Sequence, residues 1–283
     1  ERVKWALGQA PKTLPPAEQP EFLTDAESSL MTHDRWTPRG VHRVPIHFGH
    51  GVRGNLYFKD GAPTPMPVVV WLHPLSYHSG YNEGYGVQGT TVYQRLAENG
   101  FAVIAYDQCG FGLRLLEGRD FYKNHPRWSK LGRMVMDARA AVSFAVEGRG
   151  AAKSAIPEFD TKRVFLLGYS SGALTAMYAG ALDNRIAGVA CFSGWTPLRN
   201  ARNAKATGGN RRLWELHALQ PRLGLFDGRE SEMPFDYDDV LGLVLPKPCL
   251  VVTPKRDRYA DFSAVVEVID KVRSAKPRIA KGS

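Results

Sequence analysis

The chain has 283 residues, 43% of them hydrophobic and 23% charged, with 37 Lys and Arg against 28 Asp and Glu for a formal net charge of +9. That is enough chain for one large globular core, too apolar for a disordered protein and too mixed for a fibrous one. No apolar run approaches the roughly 20 residues that cross a bilayer, which excludes a helical membrane span. The positive charge is local. Residues 199–222 hold six basic residues and one acid, and residues 271–283 hold five basic residues and none, so the rest is near neutral. No zinc-ligand spacing, RNP-like aromatic run or basic helix accompanies them, which speaks against nucleic acid as a partner. Three cysteines, none in a CxxC, cannot build a disulfide framework. The chain starts at Glu1, which fits either a removed leader, and with it a secreted or periplasmic setting, or a trimmed sequence.

Residues 1–40 carry five prolines and scattered charges and read as an extended arm with one short helix around 25–32. Residues 41–48 and 51–58 alternate and are joined by Gly49-His50, which predicts an antiparallel hairpin. The continuous apolar run 67–73 is a strand buried on both faces. From there the pattern alternates. A helix over 91–99 ends at Gly100, a strand follows over 101–106, and a long loop covers 113–129. Leu131, Met134, Val135, Ala138, Val142 and Ala145 keep a helical period within 128–147. Strands at 163–167, 186–192 and 248–253, a small-residue helix over 171–180 and a final helix over 260–272 complete it. Strand and helix in alternation imply right-handed crossovers, hence a doubly wound, mostly parallel α/β sheet with helices on both faces. The domain reading is an arm at 1–40 and one domain at 41–283, with an insert or lid at about 195–237 after the fourth parallel strand. In such sheets, chemistry collects at the carboxyl ends of the strands.

Residues 163–172 read as a strand, then Gly168-Tyr169-Ser170-Ser171-Gly172, then a helix. A serine at a sharp strand-to-helix turn is forced into a strained backbone conformation, and glycines two before and two after let the neighbouring chain pass closely. The following helix aims its free N–H groups at developing negative charge. The alternative is a glycine-lined turn in which Ser170 is incidental.

On this motif the chain resembles the α/β-hydrolase superfamily over about residues 40–275. Trp71-Leu72-His73-Pro74-Leu75 is similar to its oxyanion-hole segment, the residues from Tyr106-Asp107 to Gly112 match its Asp-x-x-Gly-x-Gly turn, and residues 250–258 match the strand and loop that deliver an acid. The long loop and proline-rich arm look like the dienelactone-hydrolase and acetyl-xylan-esterase branch. The resemblance implies a serine esterase, and since no phosphate-cradling glycine loop leads into a lysine and no His, Asp or Glu spacing suggests a metal, cofactor-free chemistry is expected. Ser170 would be the nucleophile, the N–H groups of Ser171 and Leu75 the oxyanion donors, and Asp257 the acid. The substrate would be a small-molecule or carbohydrate ester, either an acetyl or an aromatic one. Oligomeric state stays open.

One part of the pattern is absent. The family order is Ser, acid, His, yet all eight histidines precede Asp257. The expectation adopted is that the last strand and histidine loop lie beyond Ser283, which would leave an unpaired, apolar sheet edge. The alternative is a substitute base, His78 or His217, while His73 packs beneath its loop. A third reading is a silent binding protein that lacks the base. Trp195 opens a candidate aromatic wall with Arg199 as a clamp. Arg114 would either contact substrate at the pocket mouth or pair with Glu117 across the loop. The run 199–212, with Gly208-Gly209, would be a gating loop or a solvated face.

Overall fold

The computed structural model describes residues 1–12, 14, 16–22, 39–82, 89–147, 156–200 and 209–279; of 19, 20, 22 and 276–279 only the backbone is described. Its elements in chain order are α1 (Arg2–Leu7), β1 (Glu18–Phe22), β2 (Val41–Gly49), β3 (Val52–Lys59), β4 (Met66–Leu72), α2 (Val92–Glu98), β5 (Ala102–Tyr106), α3 (Leu115–Arg119), α4 (Phe121–Asn124) and α5 (Lys130–Glu147). They continue with β6 (Phe159–Tyr169), α6 (Ser171–Leu182), β7 (Gly188–Phe192), α7 (Tyr237–Val244), β8 (Cys249–Val252) and α8 (Phe262–Ile279). The eight strands form one sheet in the order β1-β2-β3-β5-β4-β6-β7-β8. The β1–β2, β2–β3 and β3–β5 pairings are antiparallel, and every pairing from β5 through β4, β6 and β7 to β8 is parallel.

Strand β4 shows why the parallel part reads as unbroken apolar sequence. Side chains alternate between faces of a strand. Val68, Val70 and Leu72 join the core beneath α5 and α6, while Val69 and Trp71 join a second cluster with Tyr93 and Ala97 of α2. Both faces are covered, so no position is left for a polar residue. Small residues bring α6 down onto the sheet. A Cβ on Gly180 would lie 2.5 Å from Val189 Cγ1.

Three expectations need correction. The N-terminal arm is not simply extended. Helix α1 buries Val3, Ala6 and Leu7 against α5, where a Cβ on Gly132 would lie 2.3 Å from the Leu7 carbonyl, and β1 adds an edge strand next to β2. A six-residue helix is too short to announce itself by periodicity. The expected helix around 25–32 lies outside the described residues. The long loop over 113–129 is broken into a 3₁₀ turn at Gly112–Arg114 and the short helices α3 and α4. Leu113 and Leu116 there are more than 60% exposed, so no buried stripe marks them. Helix α8 runs on past 272 to Ile279, through residues such as Arg273 and Ala275 that favour helix.

Candidate active site

The backbone around Ser170 is built by close approach. Ser170 sits at φ 55° and ψ −117°, a region that non-glycine residues rarely occupy. Its N–H donates to Phe192 O (2.9 Å), continuing the β6–β7 ladder, while its carbonyl starts α6 by accepting from Ala173 and Leu174. The flanking glycines are a packing requirement. A Cβ on Gly168 would lie 2.1 Å from Gly172 O, and one on Gly172 would lie 1.9 Å from Leu72 O. From the next loop, Gly194, at φ +97°, crosses so close that its Cβ would meet Ser170 O at 2.2 Å. Strand β6, helix α6, the end of β4 and the loop after β7 thus converge on one serine.

Two connected spaces open there. A recess of about 30 Å³ is lined by Ser170, Ser171, Leu75, Trp195, Asn210 and Tyr237 among others. It gives onto a cleft of about 530 Å³ lined by Tyr77, Tyr169, Ser170, His217, Asp257 and Tyr259 among others. Ser171 Oγ is buried and without a hydrogen-bond partner among the described residues. The Trp195 ring packs 5.0 Å from that of Tyr237. His217 lines both spaces, and its Nδ1 is 2.8 Å from the Tyr77 hydroxyl. Burial, then Arg212 and Lys130, hold the His217 pKa below its ordinary value, so the ring is neutral at pH 7. The Asp257 Oδ1 accepts from the N–H of Tyr259 (2.8 Å) and of Ala260 (3.3 Å).

Beneath the Pro74-Leu75 loop, His73 is fully enclosed. Its Nδ1 lies 2.6 Å from Pro74 O, and its Nε2 lies 3.0 Å from the Gln108 N–H. A carbonyl only accepts and an amide only donates, so Nδ1 carries the proton and Nε2 is bare. Burial lowers the pKa to about 4, against the Pro74 hydrogen bond that would raise it. Gln108 closes the web, donating to His73 O (2.7 Å) and accepting from Thr175 (2.9 Å). Neither ring nitrogen of His73 is left for chemistry.

The structure therefore gathers Ser170, Ser171, Leu75, Asp257, His217 and Trp195 around the recess and cleft, and it leaves three sequence candidates outside. His78 is exposed and lines neither recess nor cleft. Arg114 is enclosed in an ion-pair web, with Nε 2.8 Å from Glu117, Nη1 2.8 Å from Asp137 and Nη1 3.0 Å from Asp107 O. Its alternative reading holds, and the web extends beyond Glu117 because Asp137 comes from α5, out of sequence reach. Arg199 is no clamp either, since its guanidinium donates to Met233 O behind the wall. Asp257 makes no hydrogen bond to His217; Tyr77 does. Sequence reading missed Tyr77 and Tyr259, which are loop aromatics with no spacing signal. Of the basic run, residues 201–208 lie outside the described residues. Strand β8 is the sheet edge among the described residues, with Leu250 54% exposed. Also among the described residues, no helix is long and apolar enough to cross a membrane, and no His, Cys, Asp and Glu cluster suits a metal ion.

Comparison with known proteins bears on the fold. A family model described as Hydrolase_4, serine aminopeptidase, S33, matches residues 68–244, more than half of the chain. No curated protein matches. Among solved structures, a glucuronoyl esterase from Solibacter usitatus is 17% identical, with a TM-score of 0.64 over 96% of this chain and 78% of that one. A promiscuous CE15 esterase from a marine bacterial metagenome is 17% identical, with a TM-score of 0.63 over 95% and 76%. Acetyl xylan esterase 1 from Thermoanaerobacterium sp. JW/SL YS485 is 15% identical, with a TM-score of 0.56 over 95% and 82%. At such identities the likeness is one of fold. The matched span runs from β4 through the Ser170 turn to the end of α7, and with that core the chain belongs to the Hydrolase_4 family and has the α/β-hydrolase fold.

Proposed function

We propose that the protein is a serine esterase that cleaves a carboxylic ester through an acyl-enzyme on Ser170. The observation that carries this reading is the strained Ser170 backbone, held by three close glycine contacts at the mouth of a recess. Strain of this kind persists only where the surroundings impose it, and it clusters at functional sites.

In this mechanism Ser170 Oγ attacks the acyl carbonyl carbon while its proton passes to a base. The tetrahedral oxyanion takes hydrogen bonds from the N–H groups of Ser171 and Leu75. Ser171 is the first residue of α6, where an amide has no acceptor within its own helix. Leu75 is oriented by His73. A trans peptide sets its N–H opposite its C=O, so His73, by holding Pro74 O, turns the Leu75 N–H away from itself. Donors preset for an oxyanion are each worth about 3–4 kcal/mol of barrier. Collapse of the intermediate expels the alcohol, which takes the proton, and water then releases the acid by the same steps.

His217 is the base in this reading. Among the described residues it is the histidine that lines the space around Ser170, and it is neutral where a base must be. Tyr77 holds its Nδ1 and leaves Nε2 for the proton. Asp257 is then a negative charge across the cleft that favours the transient imidazolium. The recess suits an acetyl-sized acyl group, and the Trp195–Tyr237 pair gives it an aromatic wall. Together with the name of the acetyl xylan esterase structure above, that supports an acetylated carbohydrate as substrate.

The test is labelling with a fluorophosphonate alongside hydrolysis of p-nitrophenyl acetate. Wild-type protein is expected to gain one adduct and turn over the ester. Ser170→Ala abolishes the adduct and lowers kcat by about 10³-fold or more, and His217→Gln lowers kcat by about 10²–10⁴-fold and removes the acid limb that protonation of His217 gives the wild type. Labelling that survives in Ser170→Ala would sink the nucleophile assignment. Full turnover in His217→Gln would place the base elsewhere. An intact wild type with neither adduct nor turnover would favour a silent binding protein.

A further inference from the structure

Arg211 and Arg212 are neighbours with opposite fates. Arg211 lies on the surface and pairs with Glu215, Nε to Oε2 at 2.5 Å. Arg212 turns inward, half-buried, and lines both recess and cleft. Its Cζ lies 4.0 Å from the centroid of the Tyr259 ring, and the guanidinium makes no hydrogen bond or ion pair with any described residue. Arg258 places its own Cζ 4.6 Å from the same centroid. Arg256 also lines the cleft, so three guanidiniums face it among the described residues. Among the described residues Asp257 is the single carboxylate there, outside ion-pair distance of Arg212 and engaged with the Tyr259 and Ala260 amides.

A half-buried cation without a counterion is costly, and burial lowers the Arg212 pKa more than Tyr259 and Asp257 restore it. An arriving anion would relieve that cost. A guanidinium stacked on a ring has its fork of N–H donors fixed in plane, the geometry that grips a carboxylate with two parallel bonds. The recess leaves room only for a small acyl group, and Arg256 and Arg258 line the outer cleft but not the recess. The charge therefore lies on the alcohol side of the scissile bond.

We infer that the cleft selects short-chain esters whose alcohol part carries a carboxylate, with Arg212 as its principal ligand and Arg258 beside it on Tyr259. The inference rests on the esterase reading above and adds the charge and orientation of the substrate.

Two acetates separate charge from size: 4-(carboxymethyl)phenyl acetate and its uncharged analogue 4-(carbamoylmethyl)phenyl acetate, whose methylene insulates the phenol from the substituent. At low ionic strength kcat/KM is expected to be about tenfold higher for the carboxylate, as a charge-assisted bidentate contact provides. The preference narrows as salt rises. Arg212→Gln brings the ratio close to one, Arg212→Lys keeps part of it, and Arg258→Gln, at an exposed position, lowers it partly. Each ratio is measured within one preparation, so loss of folded protein cancels. Equal kcat/KM values in the wild type, or an unchanged ratio in Arg212→Gln and Arg258→Gln, would overturn the inference. If neither ester is hydrolysed, the esterase reading fails by itself, and calorimetry with 4-hydroxyphenylacetate and 4-hydroxyphenylacetamide decides the anion site. Tighter binding of the acid, lost in Arg212→Gln, sustains it, and equal or absent binding overturns it.

Discussion

Arginines are used in opposite ways in two parts of this molecule. Under the Asp107 turn, Arg114 and Arg133 are enclosed with Glu117 and Asp137, and Asp137 is held by both guanidiniums, at 2.8 Å from Arg114 and 3.0 Å from Arg133. Burial alone would lower the pKa of Arg114, but Asp137 and Glu117 raise it overall. At the cleft, burial of Arg212 goes uncompensated and its pKa falls. The first set is closed upon itself and has nothing left for a ligand. The second is open on one side, toward the serine. An arginine near a pocket thus carries a functional argument only after its carboxylates have been accounted for.

The sharpest way to break the comparison is Asp137→Ala, which leaves two enclosed cations to share Glu117 alone. It is expected to cost about 3–5 kcal/mol of unfolding free energy in urea titration. A loss below about 1 kcal/mol would mean that the web is solvated and no different in kind from the cleft.

A smaller effect concerns pH. His73 has a folded pKa of about 4, below its unfolded value near 6.5. Between those values the unfolded chain takes up a proton that the folded chain refuses, so this contribution is full above pH 6.5 and is lost as pH falls toward 4. The loss reaches about 3 kcal/mol over that window. Urea midpoints at pH 7.5 and pH 4.5 check it, and His73→Gln should flatten the difference attributable to this ring. An equal slope in wild type and variant would show that His73 is not held neutral.

The smallest expected effect sharpens the contrast from the other side. Arg212→Gln should change stability by no more than about 1 kcal/mol, because the side chain has the Tyr259 ring but no counterion to lose among the described residues. A destabilisation comparable to that of Asp137→Ala would make Arg212 structural.

Most of the scaffold was legible in the residues. The run 67–73 could be read as a doubly buried strand because apolar side chains are needed on both faces, and the helix on Leu131 to Ala145 because one face needs them at a helical period. The Ser170 turn was legible for a similar reason, since the glycines at 168 and 172 answer a local steric demand. Helix α1, strand β1 and the short helices α3 and α4 were not, because they are held by contacts distant in sequence. Leu7 O accepts from Ser129 N, and Glu18 sits opposite Gly49.

Roles of single polar residues divided along the same line. His73 was expected beneath its loop and lies there. His78 and His217 were equivalent as loop histidines until the fold brought one to the cleft and left the other in solvent. Arg114 and Arg212 were likewise two basic residues near strand ends. The amino-acid sequence by itself determined the alternating α/β order, the strained serine turn and the local excess of positive charge, because periodicity and turn sterics act between residues close along the chain. Only the tertiary structure decided which histidine faces Ser170, which arginines have their counterions and which aromatics line the cleft, because pairing and burial depend on neighbours that the chain supplies from far away.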